Sequence, residues 1–67
     1  MEIILNDLKR EIPEQCSLLW LANQELGDKQ NGIAIAVNDV VISKKEWANY
    51  LLKNQDNVLI IKATQGG

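Results

Sequence analysis

Apolar and polar residues alternate in the first part of the chain in a way that predicts a β-hairpin. Residues 2–5 form an apolar strand, the Asn6-Asp7 pair interrupts the chain, and residues 8–12 form a second, alternating run. A period of two is typical of a strand, and Asn and Asp tolerate the positive φ angles that a two-residue turn requires. Pro13 then ends the second strand, because proline cannot donate a hydrogen bond to a neighbouring strand.

The next segment, residues 17–26, has the periodicity of a helix. Its apolar residues recur at steps of three and four, and the face that they define contains Leu18, Leu19, Ala22 and Leu26. The helix is expected to begin at Cys16 or Ser17 and to end at the glycine that follows it. Trp20 and Leu21 fall outside this face and are expected to cover the edges of the core.

Residues 33–37 alternate between large and small apolar side chains, which predicts a third strand with its large side chains inward. Ala34 and Ala36 are then expected on the outer face of the sheet. Asn38-Asp39 repeats the turn signal of the first hairpin, and residues 40–42 form the returning strand.

A short helix is expected after the second hairpin. It begins with the sequence Ser-Lys-Lys-Glu, a capping box in which Ser43 accepts the amide of Glu46 and the glutamate side chain reaches back. Trp47, Tyr50 and Leu51 are expected to share the side of this helix that packs under the sheet.

The last strand, residues 58–61, is apolar on both faces, which is typical of a central strand. If Val58 and Ile60 face the helix, the opposite face of the sheet carries an apolar patch. The expected members of this patch are Leu59, Ile61, Ala34 and Ala36, with Ile4 beside them. In a domain with one long helix, such a patch indicates a docking surface for another protein.

Composition excludes several classes of function. The chain has 67 residues, enough for one domain, and its net charge of -2 argues against a nucleic-acid partner. No apolar run approaches the roughly 20 residues of a membrane span, and acidic residues near the start argue against a signal peptide, so a cytoplasmic location is expected.

The cysteine and histidine content argues against catalysis. Without histidine, and with Cys16 as the lone cysteine, the chain lacks a Cys-His or Ser-His pair and a histidine-based metal site. Cys16 is interpreted as a small, partly buried apolar residue at the start of the helix. A carrier or substrate is therefore favoured over an enzyme.

The final residues, 63–67, predict a flexible tail that follows a domain of residues 1–62. Gly66 and Gly67 have no Cβ, so their backbone fits a slot too narrow for a side chain. An extended tail of this length reaches roughly 17 Å, and its carboxylate is ionised at neutral pH. Such a tail is suited to enter another protein's active site, with Gln65 recognised beside the two glycines.

The order hairpin, helix, hairpin, short helix, strand and tail is that of the β-grasp fold, an α+β, ubiquitin-like architecture with a mixed four- to five-stranded sheet. The residues that carry a family resemblance are Ile3, Leu5, Asn6, Ala36-Val37-Asn38, Glu46-Trp47-Ala48, Asp56, Val58, Ile60 and Gly66-Gly67. On these residues the sequence resembles the ThiS family of thiamine-pathway sulfur carriers over essentially its whole length. Its departures from the family pattern affect local turns and leave the tail unchanged; they are Asp7, Ser43, Lys44 and Gln55.

The resemblance implies a mechanism. In that family a ThiF-like, E1-type adenylyltransferase uses ATP and Mg²⁺ to adenylate the terminal glycine carboxylate, and sulfur from a persulfide converts the adenylate into a thiocarboxylate. A ThiG-like thiazole synthase then takes the sulfur. Carried over to this chain, Gly67 bears the sulfur, Gly66 lets the tail fit, and the chain itself binds no cofactor.

Three alternatives stay open at the level of sequence. The small subunit of molybdopterin synthase shares the fold, tail and chemistry, although such chains usually run longer and carry prolines before the tail. A ubiquitin-like modifier would transfer its adenylated end to a lysine. A plain interaction domain would tolerate truncation of the tail.

Overall fold

The computed structural model describes residues 1–62, and the tail predicted for residues 63–67, with its expected flexibility, lies outside them. The described part contains five strands, one α-helix and one 3-10 helix. In chain order they are β1 (Glu2–Leu5), β2 (Leu8–Glu11), α1 (Leu18–Leu26), β3 (Ile33–Val37), β4 (Val40–Ile42), the 3-10 helix (Lys44–Asn49) and β5 (Asn57–Lys62). This order of elements is the predicted one.

One mixed sheet contains these five strands in the order β2-β1-β5-β3-β4. Strands β1 and β5 pair in parallel, whereas β1 with β2, β3 with β4, and β3 with β5 pair antiparallel. Strand β5 therefore lies in the centre of the sheet and joins the two hairpins, as its apolar sequence predicted. The α+β, ubiquitin-like architecture expected from the sequence is confirmed.

Both hairpins turn through an Asn-Asp pair in the left-handed region, as predicted. The φ angles are 47° at Asn6 and 70° at Asp7, and they are 50° at Asn38 and 71° at Asp39. Positive φ at both central residues is characteristic of a type I′ turn, whose twist matches that of the flanking strands. The two turns are therefore built from the same pair of residue types in the same conformation.

Helix α1 covers one face of the sheet, but its buried side is centred differently from the predicted one. Ser17 caps the helix, because its hydroxyl oxygen accepts the Trp20 amide at 3.0 Å. The buried residues are Leu18, Leu21 and Ala22, while Leu19, Trp20 and Leu26 are partly buried. The expectation that Leu21 lies at the edge of the core is wrong: the i, i+3, i+4 set that starts at Leu18 faces the sheet, and Leu21 is 1% exposed.

The segment after β4 corrects the expected capping box. It forms a 3-10 helix in which the Glu46 amide donates to the Ser43 main-chain carbonyl at 2.9 Å. The Ser43 side chain makes no capping hydrogen bond. The tighter i to i+3 bonding of a 3-10 helix satisfies the Glu46 amide with a main-chain carbonyl instead.

The core side chains of this region are Trp47 and Leu52. Trp47 is buried as predicted, and its indole Nε1 donates to the Ile42 carbonyl at 3.0 Å, while Tyr50 is partly buried against the core. The expected core position of Leu51 is wrong, because Leu51 is 57% exposed and Leu52 is 4% exposed. The backbone at Tyr50 is extended, with φ -91° and ψ 110°, so helical spacing no longer decides which side chain points inward.

Cys16 is buried just before α1, in agreement with the sequence interpretation. Its thiol Sγ donates to the Pro13 carbonyl at 3.0 Å, and the residue belongs to the main core cluster. Core packing and one weak hydrogen bond therefore explain why a cysteine is accommodated at this position.

Candidate functional site

Strand β5 presents its side chains alternately to the core and to the open face of the sheet. Val58 is fully buried and Ile60 packs against the core, whereas Leu59 and Ile61 are 46% and 42% exposed. The predicted orientation of this strand is therefore confirmed. Because successive side chains of a strand point to opposite faces, Leu59 and Ile61 lie on the face that α1 leaves uncovered.

Residues of β3 and β4 extend this exposed apolar surface. Cα pairing places Ala36 opposite Leu59 and Ala34 opposite Ile61, and Ala36 pairs on its other side with Val41. Val41 is 65% exposed, and no sequence pattern indicates this, because β4 is apolar at every position. We define the outer apolar patch as Ala34, Ala36, Val41, Leu59 and Ile61.

The outer apolar patch has a low centre. Ala36, which is 8% exposed, lies between Leu59 and Val41, whose side chains are larger and more exposed. Neighbouring strands are about 4.8 Å apart, so this row of three residues forms a shallow depression between two apolar ridges. Such a surface is suited to a small apolar projection from another protein.

Charged residues border the patch on the β1 and β2 side of the same face. The partly buried Ile4 pairs with Asn57 on one side and with Lys9 on the other. Farther along the same strands, Glu2 pairs with Glu11. The outer face therefore divides into an apolar half on β3, β4 and β5 and a charged half on β1 and β2.

Two asparagines hold β5 from its two neighbouring strands. The Asn38 amide donates to the Asn57 carbonyl at 2.8 Å, and Asn38 Oδ1 accepts the Asn57 amide at 2.9 Å. The Asn6 amide donates to the Val58 carbonyl at 2.9 Å, and Asn6 Oδ1 accepts the Ile60 amide at 2.8 Å. Each asparagine is the first central residue of a type I′ turn, so both contacts are made from the same position of the turn.

Asp56 fixes the loop that leads into β5. Its carboxylate Oδ2 accepts the Lys53 amide at 2.7 Å, and its main-chain carbonyl accepts the Ile4 amide at 2.9 Å. Asp56 is 7% exposed, and every buried polar side-chain atom of residues 1–62 has a hydrogen-bond partner. A buried carboxylate that accepts the main-chain amide of a residue in its own loop helps to hold the loop in one conformation.

An ion pair ties β2 to α1 on the face opposite the patch. The Arg10 guanidinium donates to both carboxylate oxygens of Glu25, at 2.7 Å and 2.5 Å. The hydrogen bonds to Glu25, together with its negative charge, raise the pKa of Arg10 above its ordinary value. Because the pair is exposed to solvent, it orients the β2 edge and adds little stability.

The residues predicted to carry the chemistry lie outside residues 1–62; they are Gln65, Gly66 and Gly67. The last described residue, Lys62, pairs with Ile33 on β3. The strand that contributes Leu59 and Ile61 to the outer apolar patch is therefore the strand from which the tail continues.

Within residues 1–62, no group of three or more His, Cys, Asp or Glu side chains is placed to hold a metal ion. The two described helices are both too short to cross a membrane.

Comparisons with known proteins agree with one another. The sequence profile of the ThiS family matches residues 3–67. The sulfur carrier protein ThiS of Escherichia coli strain K12 is 27% identical over 67 residues, which is 100% of both chains. The crystal structure of thiamine biosynthesis protein ThiS from Geobacter metallireducens superposes over 100% of both chains with a TM-score of 0.87; at 16% identity this likeness shows a shared fold.

Proposed function

The chain belongs to the ThiS family, and we propose that it is a sulfur carrier protein of thiamine biosynthesis. The observation that carries the proposal is the extent of the family match, which runs from β1 to the Gly66-Gly67 pair. The named relative that aligns over its full length is itself a sulfur carrier. The chain would act in the cytoplasm as a co-substrate of enzymes rather than as an enzyme.

The proposed chemistry takes place at the Gly67 carboxylate. A carboxylate does not accept a nucleophile until one oxygen has become part of a good leaving group, and a mixed anhydride with AMP provides one. A ThiF-like adenylyltransferase would supply ATP and Mg²⁺, and pyrophosphate would leave as the acyl adenylate forms. A persulfide would then displace AMP, and thiol cleavage of the S–S bond would leave the thiocarboxylate for a ThiG-like thiazole synthase.

The outer apolar patch is the proposed docking surface for these enzymes. Ile61 lies in the patch and is six residues from Gly67. An extended segment of that length spans roughly 20 Å, so an enzyme bound to the patch has the tail within reach of a nearby active site. Gly66 would thread the entrance to that site because it has no Cβ, and Gln65 would be recognised just outside it.

Mass spectrometry of the intact protein tests the proposal. Incubated with a ThiF-like adenylyltransferase, ATP and Mg²⁺, the chain should gain the mass of one AMP group. When a persulfide donor is added, one oxygen should be exchanged for sulfur, and fragmentation should locate the exchange at Gly67. Transfer of the adenylated end to lysine side chains, without sulfur uptake, would instead identify a protein modifier.

A further inference from the structure

Asn6 holds β5 at the point where β1 ends. The Cα pairing of β1 with β5 covers Ile4 with Asn57 and Leu5 with Val58, and the chain then enters the type I′ turn. At Asn6 two contacts to β5 persist: its main-chain amide donates to the Val58 carbonyl, and its side-chain Oδ1 accepts the Ile60 amide at 2.8 Å.

The Asn6 side chain takes the place of a main-chain acceptor. In a regular parallel ladder, the residue whose amide binds the Val58 carbonyl would offer its own main-chain carbonyl to the Ile60 amide. With φ at 47°, the backbone of Asn6 has already turned toward β2. The side-chain carbonyl therefore extends the β1 edge by one hydrogen bond after the strand itself has ended.

Beyond Ile60, the described part of β5 is paired on one side. Ile61 and Lys62 are opposite Ala34 and Ile33 of β3, and no residue of β1 or β2 pairs with them in residues 1–62. Along the described part of β5, the Asn6–Ile60 hydrogen bond is thus the last one from the β1 side of the sheet.

We propose that Asn6 is a positioning residue for the tail chemistry: its side chain fixes the end of β5, at Ile60 to Lys62, relative to the outer apolar patch. This inference rests on the proposed sulfur-carrier function. An enzyme that docks on the patch must lead the tail to its active site from the end of β5, so the position of that end affects where the reacting carboxylate lies. A displacement of reacting groups by about 1 Å can cost about a hundredfold in rate. The anchor of the tail therefore contributes to the rate of activation.

Asparagine is one of few residue types that can do this at position 6. The site needs a positive φ together with a side-chain acceptor that reaches the neighbouring strand, and Asn and Asp satisfy both requirements. Glycine accepts the backbone conformation but removes the acceptor. Asn6→Gly therefore deletes the contact to Ile60 while it keeps the turn, and Asp7→Gly is the matched control because φ is also positive there.

Amide hydrogen exchange measured by NMR tests the structural half of the proposal. Exchange at Ile60 should be about tenfold faster in Asn6→Gly than in Asp7→Gly, since one net hydrogen bond is worth about that factor. Asn6→Asp should restore the slow rate because its carboxylate oxygen can accept the amide. In the wild-type protein, a scalar coupling across the bond between the Ile60 nitrogen and the Asn6 side-chain carbon should be present, and its absence would overturn the proposal without any mutation.

Steady-state adenylation by a ThiF-like enzyme tests the functional half. At equal folded fraction, Asn6→Gly should lower kcat about tenfold relative to Asp7→Gly, and Asn6→Asp should recover most of it. A variant that is merely less folded would raise the apparent KM and keep kcat. Equal kcat values for the two glycine variants would overturn the inference.

The proposed function and the inference fail in distinguishable ways. If the wild-type chain is not adenylated at all, the proposed function falls, and the functional role of Asn6 falls with it. The Ile60 exchange rates would still decide whether Asn6 holds β5. If the wild-type chain is adenylated and the Asn6→Gly protein is adenylated equally fast, only the inference is overturned.

Discussion

Asn38 Nδ2 donates to Asp56 Oδ1 at 3.0 Å, which joins the turn of the second hairpin to the loop before β5 across 18 residues of sequence. With the Lys53 amide on Oδ2, both carboxylate oxygens of Asp56 are engaged. Asn38 also exchanges two hydrogen bonds with Asn57. The start of β5 is therefore held by the buried Asp56 carboxylate and by the side chain and main-chain amide of Asn38.

Asp56→Ala should destabilise the domain by about 3 kcal/mol. The substitution leaves the Lys53 amide and the Asn38 side chain without their acceptor, and hydrogen bonds to charged groups contribute about 1.5–3 kcal/mol each. Thermal unfolding followed by circular dichroism measures the effect. Asp28→Ala, at an exposed loop position, is the control and should unfold within a few degrees of the wild type.

Leu52→Ala and Leu51→Ala should differ sharply although they remove the same atoms from adjacent residues. Leu52 is 4% exposed, and a buried leucine truncated to alanine costs about 2–5 kcal/mol. Leu51 is 57% exposed, and its truncation should cost less than about 0.5 kcal/mol. Urea titration of the two variants measures their free energies of unfolding. Similar midpoints would contradict the burial described for this segment.

Leu59→Glu should leave the fold largely intact and weaken capture by a ThiF-like enzyme at least about tenfold. The side chain is on the outer face, where a charge stays solvated in the free protein but must lose water in an apolar contact. Circular dichroism and a pull-down on the same protein give the two readouts.

Two further glutamate variants control this experiment. Leu51→Glu places the same charge at an exposed leucine outside the outer apolar patch and should not affect capture. Val58→Glu places it in the core, where an unpaired charge should unfold the domain. Normal capture of a folded Leu59→Glu protein would remove Leu59 from the docking surface.

Cys16→Ser should keep full carrier activity. The thiol is buried and donates to the Pro13 carbonyl, and a serine hydroxyl can donate to the same acceptor. We expect a loss of about 1 kcal/mol in the free energy of unfolding and no change in the yield of thiocarboxylate. A folded Cys16→Ser protein that no longer accepts sulfur would show that the thiol takes part.

Tail variants should separate carrier chemistry from simple binding. Deletion of Gly67, or addition of one residue after it, should abolish AMP and sulfur incorporation, because the reactive carboxylate no longer meets the nucleotide. Gly66→Ala should slow both on the order of a hundredfold by placing a Cβ in a narrow slot. Lys62→Ala keeps the length of the tail and both glycines, so it serves as the control. If the variant with a residue added after Gly67 were activated without trimming, a plain interaction domain would be favoured.

Local turn and strand chemistry made much of the fold predictable. Asn-Asp pairs between strand-like runs indicate tight two-residue turns, and both turns have positive φ angles at these residues. The absence of a polar face in β5 indicated a central strand, and its two faces divide as expected between the core and the outer apolar patch. These features depend on a few neighbouring residues, so the sequence contains them directly.

The errors occur where tertiary contacts choose between local options. Helix α1 has more apolar residues than one face can hold, and only its packing on the sheet selects Leu21 over Leu19. The 3-10 helix and the extended backbone at Tyr50 shift the inward position from Leu51 to Leu52. Val41 joins the outer apolar patch through strand pairing, which an apolar run of three residues does not specify.

The candidate site was predictable in part. Strand periodicity places Leu59 and Ile61 together on the face opposite Val58 and Ile60, and the structure shows that this face is the outer one. Their role in docking, and the roles of Gln65, Gly66 and Gly67, stay predictions that the experiments above address.

The central place of β5 determines when this protein can fold during its synthesis. A growing chain releases both hairpins and α1 from the ribosome before β5, so the strand that joins the hairpins arrives after them. Contacts between such distant segments form slowly because a long loop must close first. Leu59 and Ile61 are part of that late strand, so the proposed docking surface of a nascent chain is complete only after β5 has left the ribosome.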